Sequence, residues 1–151
     1  MAKTFNTEGY CDPAYNYMVD LTGRLAQIKD MVDNGKYFTI NRGRQYGKTT
    51  TLIALEEYLV PYYKVISLDF QMLSSACFEN EASFVSSFSR EILYATDSVP
   101  DPVKSELEAY SHGNDPELTL TILFKTLEKF CRESDRKLVL MIDEVDSARN
   151  N

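Results

Sequence analysis

The chain contains a segment that joins an apolar run to a basic, glycine-containing loop: YFTINRGRQYGKTT, residues 37–50. The apolar run, Tyr37 to Ile40, is typical of a short buried strand. The loop at residues 41–47 follows it, and the apolar spacing from Lys48 onward predicts a helix that Pro61 closes. A strand, a glycine-containing loop and a helix in this order are the arrangement of a phosphate-binding loop.

The tripeptide Gly47-Lys48-Thr49 at the end of the loop carries the expected chemistry. Backbone N–H groups and the positive end of the helix would surround the phosphates of a nucleotide. Lys48 would reach the β and γ oxygens, and Thr49 would ligate Mg²⁺. The tripeptide alone is weak evidence, and its place between a strand and a helix strengthens it. The alternative for Lys48 is a solvated lysine at a helix start.

The loop departs from the pattern G-x-x-x-x-G-K-[ST] at its first glycine. That position holds Arg42, and the nearest glycine is Gly43. Arginine resists the positive φ that glycine tolerates, so the loop entry must bend differently. Arg42 and Arg44 either contact phosphate or balance surface acids, and both readings stay open.

Helices and strands are predicted to alternate along the rest of the chain. The predicted elements are a helix from about 21 to 33, capped by Asp20 or Thr22 and stopped by Asn34-Gly35; a strand at 65–70; a polar turn through Asn80; a helix at about 81–95; a short helix near 103–110; a helix from Asp115-Pro116-Glu117 to about Glu133; and a strand at 138–142. The last strand has no polar member, which implies burial on both faces. These features predict an α/β layered, parallel sheet with right-handed crossovers.

An acidic pair, Asp143-Glu144, directly follows the last predicted strand. In this Walker B arrangement the strand would deliver Asp143 to the coordination sphere of magnesium, and Glu144 would orient and deprotonate the attacking water. An acid at a strand end is common, so the interpretation depends on the upstream phosphate loop. Glu144 favours ATP hydrolysis over a nucleotide kinase, and Asp146, where a small GTPase would have glycine, argues against that class. Asp146 is predicted to cap a turn or helix.

Composition restricts the class of protein further. The 151 residues carry a net charge of −7 and are 44% hydrophobic, which is enough apolar content for the core of one domain. No apolar run approaches a membrane-spanning length and the N-terminus lacks a secretion signal, so we expect a cytoplasmic protein. Cys11, Cys77 and Cys131, with the single His112, predict neither a disulfide framework nor a zinc site. A net-acidic chain does not indicate nucleic acid, whereas basic residues 41–48 suit a compact anion.

These motifs resemble those of the predicted AAA-like ATPases, a P-loop family abundant in anaerobic bacteria and often followed in the same polypeptide by a nuclease-like domain. The resemblance lies in residues 17–20, 37–50, 67–71 and 141–146. The family has Arg-x-Arg-x-aromatic-Gly-Lys-Ser/Thr in its loop, so Arg42 looks like a family trait. The resemblance implies a three-layer α/β/α P-loop NTPase of the additional-strand type, with Lys48 and Glu144 catalytic and with Thr49 and Asp143 on Mg²⁺. It implies ATP contacts from Arg42, Gly43, Arg44, Gln45, Tyr46, Gly47, Lys48, Thr49 and Thr50.

The resemblance also implies elements that should follow Asp146. In the family a further strand, with a polar sensor, lies between the P-loop strand and the Walker B strand, and an arginine finger and a helical lid come later. We therefore expect residues 1–151 to be the N-terminal part of an ATPase domain, truncated after the Walker B strand, with 1–20 near the adenine and 21–151 as a partial core. An arginine finger is worth about 10³ to 10⁵ in rate, so hydrolysis should be weak or absent unless a protein partner or a missing C-terminal part completes the domain.

Three functions stay open at this point. The first is a magnesium-dependent ATPase, or the N-terminal part of one. The second is a regulatory switch that holds ATP or ADP and turns over rarely, so that a partner reads the bound state. The third is an inert remnant with no affinity for nucleotide.

Overall fold

The computed structural model describes residues 21–40, 47–113 and 115–145. They belong to two compact units, one within residues 1–62 and one within 63–151. The described part of the first unit holds helices α1 (Thr22–Asp33) and α2 (Lys48–Leu59). The described part of the second unit holds the strands β1 (Lys64–Asp69) and β2 (Leu138–Asp143), with the helices α3 (Glu81–Ala95), α4 (Asp101–Ser111) and α5 (Leu120–Glu133). The fold class is therefore mixed α/β.

Both predicted helices of the first unit are confirmed, with a change at the start of α1. Leu21 occupies the N-cap position without a side-chain capping bond, and Thr22 is already helical, so Thr22 is not the predicted cap. The predicted stop is confirmed, because Gly35 has a φ of +65° and the Asn34 side-chain amide donates to the Asp30 carbonyl at 2.7 Å. The other predicted cap, Asp20, lies outside the described residues.

The predicted strand at residues 37–40 is wrong. These residues adopt no regular structure, and the side chain of Tyr37 is fully exposed. A strand exists only where its backbone N–H and C=O groups pair with a neighbouring strand. Within the described ranges the sheet consists of β1 and β2, and residues 37–40 pair with neither strand. An apolar run of strand length is therefore not enough to make this segment a strand.

The second unit contains a parallel sheet, as predicted, but within the described residues it has only two strands. β1 and β2 pair from Lys64 opposite Leu138 to Asp69 opposite Asp143, and both strands end on an aspartate. β1 is displaced by one residue from the prediction, because Phe70 begins a 3₁₀ turn (Phe70–Met72) whose N-cap is Asp69. A second such turn (Ser75–Phe78) lies in the predicted polar turn before α3.

The helices of the second unit pack on one face of this sheet. The core joins Ile66 and Leu68 of β1 to apolar side chains of all three helices, including Ile92, Leu107 and Phe130. Because side chains alternate along a strand, the odd-numbered residues of β1 face away from this core. The prediction that β2 is buried on both faces is wrong, since its residues are only partly buried and Leu140 is 41% exposed. An apolar strand sequence does not by itself show that a second layer of structure covers the other face of the strand.

The start of α5 also differs from the prediction. The Asp115 side chain accepts from the backbone N–H of Glu117 at 2.9 Å, but in a separate turn. The helix begins at Leu120, with Thr119 as its N-cap. The Glu81 carboxylate of α3 accepts from the Leu120 N–H at 3.3 Å. Local capping patterns do not predict this contact, because it joins two elements that are distant in sequence.

Candidate functional site

The N-terminus of α2 is where the sequence predicts a phosphate site, and its first residues are described. Gly47 is its N-cap and adopts the left-handed conformation, with φ +73° and ψ +29°. A residue with a Cβ is strained there, so glycine at this position has a physical reason. The first turn of α2 contains no acidic residue, and Gly47 has no side chain to cap it. The positive end of the helix dipole is therefore not neutralised by its own first turn.

The three threonines after Lys48 differ in their exposure to solvent. Thr51 is 1% exposed, and both its N–H and its hydroxyl donate to the Gly47 carbonyl, at 2.9 Å and 2.8 Å. These two bonds fix the entry of the chain into α2. Thr50 is also buried, whereas Lys48 is partly buried and Thr49 is exposed. The helix therefore presents Thr49, the predicted magnesium ligand, to solvent while it anchors itself through Thr50 and Thr51.

Five of the residues predicted to contact the nucleotide lie outside the described residues: Arg42, Gly43, Arg44, Gln45 and Tyr46. Their role stays a prediction. Asp146, which was predicted to cap a turn, is outside the described ranges as well.

The second part of the predicted site is the carboxyl end of β2. Asp143 is the last residue of the strand, and its side-chain oxygen accepts from the N–H of Glu144 at 2.7 Å. Glu144 adopts a φ of +54°, which is rare for a residue other than glycine and costs about 1–2 kcal/mol. The chain therefore turns sharply directly after Asp143. Strained residues of this kind occur often at functional sites.

The sheet adds a residue for which the sequence predicted no role, Asp69. It lies directly opposite Asp143 in the parallel register, so the two side chains share a face and an edge of the sheet. Asp69 is exposed, and its side-chain oxygen accepts from the Gln71 N–H at 2.8 Å. A signal was available in the sequence, because both strands are rich in apolar residues and end on an aspartate.

The donor set at this edge suits a hard cation. Magnesium prefers oxygen ligands and is commonly held by one or two carboxylates together with substrate phosphates and water. Asp143 and Asp69 supply that number of carboxylates. Over the part of the chain that the structure describes, no group of three or more His, Cys, Asp or Glu residues is placed to hold a metal by itself.

Lys48 and Thr49 belong to the first unit, and Asp143 and Glu144 belong to the second. The expectation that the four residues meet at one ion stays a prediction.

Another feature of the second unit is a cavity of about 700 Å³ at the start of α3, whose lining includes Cys77, Ser86 and Ser87. Burial raises the pKa of the Cys77 thiol, but hydrogen bonds from Ser87 and Ser74 and the charge of Arg90 outweigh it, so the net pKa is below the ordinary value. Of the predicted site residues that the structure describes, none lines this cavity.

One group on α4 and one on α5 also have shifted pKa values. The Lys129 ammonium, 2.7 Å from the Glu106 carboxylate, and the Thr126 hydroxyl lower the pKa of Glu106 by hydrogen bonding. Burial and the neighbouring charge of Glu128 raise the pKa of Cys131. Glu106 joins α4 to α5, and we assign it a structural role.

Comparison of the chain with protein-family models, with curated proteins and with solved structures finds no match. None of the described helices is both long and apolar enough to span a bilayer.

Proposed function

We propose that this chain is part of a three-layer P-loop domain of the AAA-like ATPase type, which binds ATP with Mg²⁺ and hydrolyses it. The observation that carries the proposal is the left-handed turn at Gly47, placed directly before Lys48 at the start of α2. Such a turn directs the first N–H groups of a helix toward an anion, and the helix dipole favours negative charge at the same place. Lys48 would then neutralise the β and γ phosphates, and Thr49 would ligate the ion.

One feature of the sheet supports the proposal, the parallel pairing of β2 with β1. An additional-strand fold requires the Walker B strand to pair with another strand on each side. β2 pairs in parallel with β1 along one edge, and among the described strands nothing pairs with its other edge. That edge is where the proposed fold has its additional strand.

The proposed reaction is the attack of water on the γ-phosphorus of ATP. A bond forms between the water oxygen and phosphorus, the bond from phosphorus to the β–γ bridging oxygen breaks, and ADP and phosphate leave. Glu144 orients the water and accepts its proton, which then passes to solvent. Magnesium, when bound, would neutralise charge on the phosphate oxygens. Lys48 stabilises the charge that develops on the bridging oxygen.

The proposal is tested by nucleotide binding and turnover in paired variants. Lys48→Ala should weaken ATP binding by at least about tenfold, because a charge-assisted contact is worth roughly 1.5–3 kcal/mol. Glu144→Gln should keep binding and abolish turnover. The exposed residues Lys104 and Glu57 supply the matched controls Lys104→Ala and Glu57→Gln, which should behave like the unmodified chain.

The outcomes separate the alternatives. Binding that is lost in Lys48→Ala, with turnover lost in Glu144→Gln, establishes the ATPase. The same binding with negligible turnover in every variant identifies a nucleotide switch whose partner reads the bound state. No binding of Mg-ATP at millimolar concentration, with no rise in melting temperature, would sink the proposal in favour of a remnant. The proposal implies a cytoplasmic location, where ATP and Mg²⁺ are available.

A further inference from the structure

The Gly47 carbonyl at the start of α2 accepts two hydrogen bonds from one residue. The Thr51 N–H donates to it at 2.9 Å, and the Thr51 hydroxyl donates to it at 2.8 Å. The first bond belongs to any α-helix, because it joins a residue to the one four positions earlier. The second bond requires a hydroxyl side chain, and bonds of this kind slightly destabilise a helix, so helix formation does not explain it.

The direction of the Gly47 carbonyl fixes the direction of the Lys48 N–H. Both groups belong to one planar peptide unit, in which a trans bond makes them nearly antiparallel. The carbonyl points into α2 toward Thr51, so the Lys48 N–H points outward past the N-terminal end of the helix. This is the direction in which the proposed function places the phosphates of the nucleotide.

We infer that Thr51 is a positioning residue of the proposed phosphate site, whose hydroxyl holds the Lys48 N–H toward the phosphates. The inference rests on the proposed function, because that function places a nucleotide at the start of α2. It deepens that function by giving a role in binding to a residue behind the site. Thr51 is 1% exposed, so its hydroxyl acts through the Gly47 carbonyl and not by contact with a phosphate.

The competing explanation is that the Thr51 hydroxyl bonds to Gly47 only because it is buried. A buried hydroxyl needs a partner, and in a helix the carbonyl four residues earlier is within its reach. Two substitutions at this position separate the explanations. Thr51→Val removes the hydroxyl and keeps the branched shape, whereas Thr51→Ser keeps the hydroxyl and removes the methyl group.

The two substitutions should differ in their effect on stability. In Thr51→Val the Gly47 carbonyl keeps its bond to the backbone N–H of position 51, so the carbonyl is not left without a partner and the melting temperature should change little. Thr51→Ser removes a buried methyl group and should lower the melting temperature by about 2–4 °C.

The affinity for Mg-ATP should follow the hydroxyl and not the stability. A lost hydrogen bond to a charged phosphate corresponds to about tenfold or more in affinity, and a misdirected bond loses a part of this. Thr51→Val should therefore weaken binding by about three- to tenfold, whereas Thr51→Ser should bind like the unmodified chain.

Thr126→Val is the matched control in the second unit. Thr126 is 2% exposed, and its hydroxyl donates to the Glu106 carboxylate at 2.8 Å. The variant therefore removes a buried, hydrogen-bonded hydroxyl away from α2, and it should leave the affinity for Mg-ATP unchanged.

Titration calorimetry with Mg-ATP, well below the melting temperature of each variant, measures the affinities, and scanning calorimetry measures the stabilities. Unchanged affinity in Thr51→Val, while Lys48→Ala weakens binding, would overturn the inference and leave the proposed function intact. A greater loss of affinity in Thr51→Ser than in Thr51→Val would also overturn it, because the side chain would then act through packing. An unmodified chain that binds no Mg-ATP would remove the proposed function together with this inference.

Discussion

Gly47 offers a direct test of the proposed phosphate-binding turn, because Gly35 provides a matched control in the same unit. The two glycines have φ values of +73° and +65°, and a Cβ added at either would meet no heavy atom of the described residues within 4 Å. Gly47→Ala and Gly35→Ala therefore impose the same backbone strain without a steric clash.

The cost in stability should be nearly equal for the two variants. An alanine in the left-handed region costs about 1–2 kcal/mol, and its smaller freedom in the unfolded chain offsets about 0.4–1 kcal/mol of this. A net loss of about 1 kcal/mol lowers the melting temperature by about 2–4 °C in a chain of this size. Differential scanning calorimetry measures it.

The affinity for Mg-ATP should differ between the two variants. Gly47→Ala disturbs the turn that orients the first N–H groups of α2, and one lost hydrogen bond to a charged phosphate corresponds to about tenfold or more in affinity. Gly35 lies after the end of α1, so the Gly35→Ala variant should bind Mg-ATP like the unmodified chain. Equal affinities in the two variants, at equal losses of melting temperature, would refute the assignment of Gly47 to the phosphate site.

Three further predictions concern the second unit. Asn80→Ala removes the side-chain cap of α3 and should cost about 1 kcal/mol, read from the urea midpoint. The Lys129 hydrogen bond lowers the folded-state pKa of Glu106, so its stabilisation is present above the unfolded carboxyl pKa and is lost as pH falls through the folded-state value. Glu106→Gln should cost about 0.5–1 kcal/mol at pH 7, and the difference from the unmodified chain should shrink below about pH 4 in a series of unfolding measurements. In a Cys11→Ser chain, Cys77 should be alkylated faster than the more exposed Cys131, because its pKa is lowered while that of Cys131 is raised; mass spectrometry showing equal rates would contradict this.

The parts of the fold that the sequence predicted are those that local chemistry decides. The α3 helix was predictable because its apolar residues have helical spacing and begin directly after the polar turn that ends at Asn80. In the structure the Asn80 side chain caps the helix by accepting from the Ser83 N–H. The stop of α1 was predictable because glycine at position 35 permits the positive φ that ends a helix. In these cases the decisive interactions lie within a few residues of each other.

The wrong predictions concern features that depend on distant partners. Residues 37–40 have the composition of a strand, but pairing requires a neighbour that local sequence does not specify. The start of α5 was misplaced because Asp115 caps its own turn, while Glu81, 39 residues away, accepts from the first N–H of the helix. Local signals identified candidate caps, and tertiary contacts selected among them.

The pairing of Asp69 with Asp143 shows how the core determines the candidate site. The face of β1 that carries Ile66 and Leu68 must lie on the helices, and a slip of one residue in β2 would move Asp143 to that buried face, where an unpaired charge is costly. A slip of two residues would preserve the faces but would separate the carboxylates by about 7 Å and leave the strand ends unmatched. The register that buries the apolar face and matches two strands of six residues is therefore the register that opposes the two acids. The charge repulsion at the edge is small compared with the free energy of the apolar burial that enforces this register.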